Sequence, residues 1–275
     1  MPKGIRIGDI TLSFPADVQE NLYIDPAYRL FISSNEPDIH LRLHQEIFEG
    51  PGGKKAFDCP PIWSLVRKDD TRIVEIFPDI PALKRVLVFK SPLKEADLYL
   101  GSENPDPLYG PTMELLMVNY LAQGHGLILH ACGVVWEGKG LLFVGESGAG
   151  KSTMAGLWAH DHGAQVLSDD RTIVRKKGNG FRVYGTPWHG EGKFGSPGSA
   201  VVEKIYFLSH GEENTTKDVR SIDAASRLLT CSFPPYWDPE GMAFTLEVIS
   251  ELTAKVRCQG LRFKPDGSVI EMLKG

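Results

Sequence analysis

The chain alternates between short apolar runs and polar stretches rich in glycine and proline, and its two parts differ in pattern. Up to about residue 100, the apolar runs are short, partly alternating, and enriched in β-branched and aromatic residues, which is typical of strands. These runs cover 5–14, 28–33, 38–47, 64–68, 71–77, 85–90 and 96–102. The pattern over 64–77 predicts a hairpin that turns at 68–71. We therefore expect a β-rich N-terminal domain over 1–105 with a structural or recognition role.

The remaining chain, 106–275, mixes strand-like and helix-like runs. A linker rich in proline and glycine is predicted at 101–111, followed by a helix over 112–124 that stops at Gly124. Strands are expected over 127–136, 141–145, 164–170 and 202–210, and a hairpin over 172–185. Helices are expected after 150, over 221–230 and around 249–256; the tail predicts a strand, a turn at 265–267 and a closing segment. This alternation predicts an α/β domain.

The charge, the apolar windows and the cysteines of the chain exclude several classes of protein. The 275 residues carry a net charge of -5 with a pI near 5.9, which argues against nucleic-acid binding as the main activity. No apolar window approaches the ~18 residues of a membrane span, and the N-terminus has no signal-peptide pattern. The four cysteines are scattered, as in proteins with reduced thiols, so we expect a cytoplasmic protein without a disulfide framework or a zinc site.

A phosphate-binding loop is the strongest signal in the chain. The residues from Gly145 to Ser152 match G-x-x-x-x-G-K-[ST], between an apolar strand pattern and a helix pattern. Glycines let backbone N–H groups converge on phosphate oxygens, and the helix N-terminus adds a partial positive charge. The expected nucleotide-binding residues are Gly145, Glu146, Ser147, Gly148, Ala149, Gly150, Lys151, Ser152 and Thr153. Lys151 would reach the β- and γ-phosphates, and the Ser152 hydroxyl would bind Mg²⁺.

An acidic pair follows one helix and one strand later. Asp169 and Asp170 end the short apolar strand pattern of 166–170. A carboxylate at that strand end can hold Mg²⁺ opposite Ser152, and its neighbour can accept a proton from an attacking hydroxyl. The sequence leaves open which of the two binds metal and which acts as the base. The alternative is an ordinary acidic turn.

Taken together, residues 130–170 resemble the catalytic core of HPr kinase/phosphorylase, a family related in fold to ATP-dependent phosphoenolpyruvate carboxykinase. The resemblance implies an HPr kinase/PEP carboxykinase-like nucleotide-binding domain after the β-rich N-terminal domain. It implies that Gly145 to Ser152 bind ATP, that Asp169 and Asp170 form the acidic pair, and that His130 is an active-site histidine. We therefore expect Asp170, Asp169, His130 and Lys151 to be catalytic, and Ser152 and Asp169 to bind metal.

The chain is more similar still to the short HPr-kinase-related proteins, which share its 185–200 loop and its C-terminal segment. It departs from HPr kinase at Thr153, where that family has an acidic residue, and in the 185–200 loop itself. The N-terminal half matches no part of HPr kinase. These departures argue against HPr as the acceptor and against the reverse, phosphate-releasing reaction.

Several further residues have two interpretations each. His130 can be a buried core histidine, and the 185–200 loop, with His189, Glu191 and Lys193, can be a plain connector or a mobile cover over the site. Arg171 can bind phosphate or balance the neighbouring carboxylates. His160 and His162 are expected to interact with the negative end of a helix dipole rather than bind metal, and Trp188 and Trp237 are expected to pack.

The sequence as a whole predicts a kinase. The expected reaction is ATP- and Mg²⁺-dependent transfer of the γ-phosphoryl group to a hydroxyl, with a serine of a protein or peptide as the acceptor that the resemblance favours. The alternatives are an ATP-gated binding module that transfers no phosphate, and a small-molecule kinase. The sequence leaves open the acceptor, the choice among ATP, GTP and pyrophosphate, and whether the chain forms a homo-oligomer.

Overall fold

The computed structural model describes residues 4–14, 26–50, 53–77, 80, 84–101, 107–108 and 110–275. Contacts divide the chain into two compact units. The first comprises Met1–Gln123 with Pro235–Pro239, and the second comprises Gly124–Pro234 with Glu240–Gly275. The boundary predicted at 105/106 and most of the predicted linker lie outside the described residues. No helix within the described ranges is long and apolar enough to cross a membrane.

The first unit is built on one large sheet. Its strands are β1 Gly4–Ile7, β2 Ile10–Ser13, β3 Ile32–Ser33, β4 Ile39–His44, β5 Lys54–Cys59, β6 Trp63–Lys68, β7 Thr71–Ile76, β8 Arg85–Lys90 and β9 Glu95–Tyr99. Their order in the sheet is β3-β1-β2-β4-β9-β8-β7-β6-β5. Helix α1, Thr112–Leu121, groups with this unit. Alternate side chains such as Ile39, Leu41 and Leu98 are fully buried, which confirms the β-rich prediction.

The structure of this unit differs from the sequence prediction at three places. Residues 28–33, expected to form a strand, lie mostly in a 3-10 helix, Pro26–Phe31, because Tyr28 and Phe31 bury their rings three residues apart. The run 5–14 is not one strand but a tight hairpin, since the chain turns at Gly8 and Asp9 with φ of 62° and 60°. Strand β5 was missed because its side chains are mostly exposed.

The second unit surrounds a second sheet. Its strands are β10 Leu127–Trp136, β11 Lys139–Val144, β12 Ala164–Ser168, β13 Arg171–Lys177, β14 Gly180–Tyr184, β15 Ser199–His210, β16 Thr215–Asp218 and β17 Arg257–Phe263. Strands β10, β13, β14, β15 and β11 pair in turn, and β11 also pairs with β10, so these five close into a ring. Both large sheets come with helices, which confirms a mixed α/β protein.

Four helices belong to or cross into this unit: α2 Lys151–Ala159, α3 Ser221–Thr230, α4 Pro239–Lys255 and α5 Ser268–Lys274. One core cluster includes Leu228 of α3 and Leu252 of α4 against the ring strands. A second cluster packs Met154 and Trp158 of α2 and Ile270 of α5 against other side chains of the same strands. The exposed strand β16 was missed by the sequence prediction, and the closing segment is helix α5.

Candidate functional site

The predicted phosphate loop connects strand β11 to helix α2. Residues 141–144 are buried, so the strand is fixed, and the chain then passes through the glycine-rich turn into Lys151. Gly148 and Gly150 have φ of 80° and 99°, a region that favours glycine. A Cβ at Gly150 would also lie 2.7 Å from Cζ of Phe263. Both backbone conformation and space therefore require glycine at residue 150.

Lys151 is folded over this loop. Its side chain is buried, and its Nζ donates hydrogen bonds to the carbonyl oxygens of Gly145 and Glu146, each at 2.9 Å. Burial lowers the pKa of the Lys151 ammonium, while the negative charge of Asp170 acts in the opposite direction. The ammonium is thus held at the centre of the loop, next to the space that an anion on the loop amides would occupy.

Asp169 is fully buried and hydrogen-bonded on both oxygens. Its Oδ2 accepts from the Ser152 hydroxyl at 2.9 Å and from the Gly192 N–H at 2.8 Å. Its Oδ1 accepts from the Gly190 N–H at 2.9 Å. The acidic strand end thus lies next to Ser152. The same contacts attach the 185–200 loop to the acidic pair.

Asp170 faces a different set of partners. Its Oδ1 lies 2.9 Å from Nε2 of His130, and its Oδ2 lies 2.8 Å from a guanidinium nitrogen of Arg171. Burial alone would raise the pKa of this carboxyl. The His130 hydrogen bond, with the charges of Arg171, His130 and Lys151, outweighs burial and keeps the pKa below its ordinary value. Asp170 is therefore ionised at neutral pH, and the two members of the acidic pair have separate roles in the geometry.

Ser168 and Phe233, which sequence reasoning missed, shape the surroundings of the acidic pair. The buried Ser168 hydroxyl accepts from the N–H groups of Asp170 and Arg171 at 3.2 and 3.1 Å and donates to the carbonyl of Trp188 at 3.0 Å. It thereby fixes the bend that separates Asp169 from Asp170. A serine directly before two aspartates is a common turn signal, so this role was readable from the sequence.

The second missed residue is Phe233. The segment 231–233 pairs with the start of β10: the His130 N–H donates to the Cys231 carbonyl at 2.7 Å, and the Phe233 N–H donates to the Ile128 carbonyl at 3.1 Å. The Phe233 ring lies edge-on to His130, with centroids 6.4 Å apart, and the Arg171 guanidinium carbon is 5.3 Å from its centroid. One ring therefore supports both partners of Asp170. No local motif marks it in the sequence.

A cavity of about 370 Å³ opens between these elements. It is lined by His130, Ser147, Gly148, Gly150, Lys151, Ser152, Thr153, Asp170, Gly190, Glu191 and His210. Six of the nine predicted loop residues and one of the two aspartates thus face one space, and Glu191 of the 185–200 loop joins them. His210, another residue that the sequence did not suggest, contacts the Gly148 carbonyl through Nε2 at 2.7 Å.

The remaining candidate residues from the sequence do not line this cavity. His160 lies at the C-cap position of α2, and His189 has Nδ1 3.1 Å from the Gly190 carbonyl. Trp188 is buried, and Trp237 packs against Phe57 and Trp63 in the first unit, so both indoles pack as expected. Arg171 balances Asp170, which was one of its two expected roles.

The donor atoms at Ser152 and Asp169 are all oxygens, the type that Mg²⁺ prefers, so this pair fits such a cation with phosphate oxygens and water as its other ligands. Within the part of the chain that the structure describes, no group of three or more His, Cys, Asp and Glu side chains gathers as a metal site.

Comparison with known proteins gives one family. Residues 112–259, more than half of the chain, match the family described as "SynChlorMet cassette protein ScmC". No curated protein matches. Among solved structures, the chain is similar to the HPr(Ser) kinase/phosphatase of Coxiella burnetii, with 15% identity and a TM-score of 0.33, over 54% of this chain and 93% of the other. The chain therefore belongs to the family of the SynChlorMet cassette protein ScmC.

Proposed function

We propose that the second unit binds ATP with Mg²⁺ and transfers the γ-phosphoryl group to a hydroxyl, with a serine of a protein or peptide as the acceptor. One observation carries the proposal. The two aspartates have different partners. Asp169 accepts a hydrogen bond from Ser152, whereas Asp170 contacts His130 and faces the cavity that Lys151 lines. Phosphoryl transfer to a hydroxyl needs these two separate carboxylate roles, one at the metal and one at the attacking oxygen.

The loop amides and Lys151 bind the triphosphate in this proposal. The turn from Gly145 to Gly150 and the first turn of α2 offer backbone N–H groups, and the helix N-terminus adds positive potential. Lys151 exchanges its contacts with the Gly145 and Glu146 carbonyls for phosphate oxygens. The result is a charge-neutralising cradle in which the terminal phosphoryl group faces the cavity.

Ser152 and Asp169 would hold Mg²⁺, which would neutralise the charge that develops on the β- and γ-phosphate oxygens. Gly190 and Gly192 keep the Asp169 carboxylate in position through their N–H groups. Because a Cβ at Gly192 would lie 2.7 Å from Asp169 Oδ2, glycine is needed for that close approach.

Asp170 acts as the base. Its ionised carboxylate accepts a hydrogen bond from the acceptor hydroxyl and takes the proton as the acceptor oxygen bonds to the γ-phosphorus. The bond between that phosphorus and the bridging oxygen to the β-phosphate breaks in the same step, which leaves ADP. His130 and Arg171 hold the carboxylate in place and keep it ionised. This assigns the metal role to Asp169 and the base role to Asp170.

The acceptor class and the HPr kinase/carboxykinase-like fold of the second unit rest on the sequence resemblance. In this proposal the first unit contributes to recognition of the protein or peptide. The 370 Å³ cavity is large enough for phosphate groups together with a small side chain, which suits serine.

The test follows the γ-phosphate label. Purified protein is incubated with γ-labelled ATP, Mg²⁺ and a panel of serine-containing peptides, and ATP binding is measured in parallel. The variants are Lys151→Ala and Asp170→Asn, with Asp223→Asn as the matched control, since Asp223 is an exposed carboxylate paired with Arg220. We expect transfer with the wild type and the control, a loss of at least 100-fold with Asp170→Asn, and loss of ATP binding with Lys151→Ala.

Two results would contradict the proposal. Binding of ATP without a labelled product from any acceptor would favour the ATP-gated module, in which the ligand acts on the 185–200 loop through Asp169. Absence of ATP binding by the wild type would remove the nucleotide from the proposal altogether.

A further inference from the structure

A second cavity, of about 480 Å³, borders the same loop. Both cavities are lined by Ser147 and Gly148, but their other walls differ. The first cavity reaches the acidic pair, whereas the second lies along the C-terminal ends of β11 and β15 and along helix α3. A molecule whose phosphates lie on the loop can therefore extend into the second cavity without leaving the loop.

The walls of this second cavity combine apolar and polar groups. The buried side chains of Val144 and Phe207 belong to one core cluster, and the hydroxyl-bearing residues Ser226 and Thr230 lie on α3. The cavity volume lies within the usual range of about 300–1,000 Å³ for sites of small organic ligands, which leaves room for more than an anion.

Arg227 supplies a planar group in this cavity. Its guanidinium carbon lies 5.4 Å from the centroid of the buried Phe207 ring, and the residue itself is exposed. Guanidinium planes stack on aromatic rings and on nucleobases alike. The exposed side of Arg227 is therefore a platform for a flat aromatic ring next to the phosphate loop.

We propose that this cavity is the nucleoside pocket: the base stacks on Arg227 above Phe207, and the ribose lies near the hydroxyls of α3. The inference rests on the proposed function, because it extends a nucleotide whose phosphates occupy the loop. It names Arg227 as the residue that makes a nucleoside triphosphate a better ligand than a bare chain of phosphates. The stacking requires the guanidinium plane and not only its charge.

The experiment compares ATP with inorganic tripolyphosphate, which has the phosphates without the nucleoside. Calorimetric titrations with Mg²⁺ use the wild type, Arg227→Gln, Arg227→Lys and Lys151→Ala. Arg220→Gln is the matched control, because Arg220 flanks the start of the same helix, pairs with Asp223 and does not line the cavity. Thermal unfolding of each variant shows that it is folded.

We expect the wild type to bind ATP at least tenfold more tightly than tripolyphosphate. Arg227→Gln and Arg227→Lys should each weaken ATP about tenfold and change tripolyphosphate less than twofold, because a stacked base contributes on this scale. Arg220→Gln should change neither ligand, and Lys151→Ala should weaken both.

The results that would contradict the expectation refute different parts of the proposal. If Arg227→Gln weakens both ligands equally, Arg227 binds phosphate and the nucleoside pocket is refuted. If Arg227→Lys binds ATP as the wild type does, or if Arg227→Gln has no effect, stacking on Arg227 is refuted while the kinase proposal stands. If the wild type binds neither ligand, or if Lys151→Ala changes neither affinity, the phosphate cradle itself is wrong and the pocket falls with it.

Discussion

The Ser152 hydroxyl donates a hydrogen bond to the Asp169 carboxylate at 2.9 Å, across 17 residues of sequence. This contact joins the end of the phosphate loop to the end of strand β12 and forms an all-oxygen pair. The phosphate loop and the acidic strand end, which are separate in the sequence, are thus adjacent in the structure. Each can be tested without knowledge of the acceptor.

Ser152→Ala should remove the Mg²⁺-dependent part of ATP binding. We expect Mg²⁺ to raise the ATP affinity of the wild type. In the variant, the factor by which Mg²⁺ raises the affinity should be at least tenfold smaller, because one cation ligand is gone. Titrations of ATP at several Mg²⁺ concentrations measure the effect. Ser152→Thr keeps the hydroxyl and should retain the dependence; an equal loss in Ser152→Thr would argue that the site responds to packing and not to coordination.

Gly150→Ala and Gly156→Ala form a matched pair on the loop and on helix α2. At Gly150, φ is 99° and an added Cβ would meet Phe263 at 2.7 Å, so we expect a loss of about 2 kcal/mol of unfolding free energy and weak ATP binding. At Gly156, within α2, an added Cβ meets nothing within 4 Å, so Ala should stabilise the protein by about 0.5–1 kcal/mol. Denaturant unfolding measures both. Similar effects from the two substitutions would contradict the assigned loop conformation.

The predicted features are marked by their own local residue pattern, whereas the missed strands are not. The loop, helix α2 and the acidic pair lie within about 25 residues and repeat local rules of glycine geometry and periodicity, so their pattern was readable. Strands β5 and β16 have mostly exposed side chains and exist because each pairs with a more buried neighbour. Alternation cannot reveal such edge strands, since no face of theirs is strongly buried.

At the site, Phe233 has a role that no local pattern marks. Phe233 reaches His130 and Arg171 only because residues 231–233 pair with the start of β10, a contact between distant parts of the chain. The pattern around residue 28 was ambiguous for a different reason. Apolar residues at 28 and 31 are compatible with a short strand run, but the three-residue spacing of the buried rings belongs to a 3-10 turn.

Phe233→Leu tests whether this ring positions the base. Loss of the ring leaves His130 and Arg171 without their common packing partner, so we expect phosphoryl transfer to fall about tenfold while the ATP affinity stays within twofold. Phe233→Tyr keeps the ring and should restore the rate. Phe244→Leu is the control, since Phe244 packs against the core of the second unit. A matching loss of rate in Phe244→Leu, or no rescue by tyrosine, would assign the effect to general destabilisation.

The first unit offers a pH-dependent test of its own. Asp97 accepts two hydrogen bonds from Arg42, at 2.7 and 2.9 Å, and lies 2.8 Å from Nε2 of His44. The Arg42 hydrogen bonds, aided by His44 and opposed by burial, lower the pKa of Asp97 below 3.8. Arg42 also pairs with Glu95. Because Arg42 is half-exposed, we expect the Asp97 charge to contribute only about 1 kcal/mol to the free energy of unfolding.

That contribution has a defined pH window. A carboxyl whose pKa is lower in the folded than in the unfolded state stabilises the protein above the unfolded value, about 3.9, and loses this effect as pH falls through the folded value. The difference in unfolding free energy between wild type and Asp97→Asn should therefore be constant from pH 6 to 5 and shrink below pH 4. Urea unfolding from pH 6 to 2.5 measures it, with Asp58→Asn of the exposed Lys55 pair as the control. A difference that grows as pH falls would mean that Asp97 is not held as the ionised partner of Arg42.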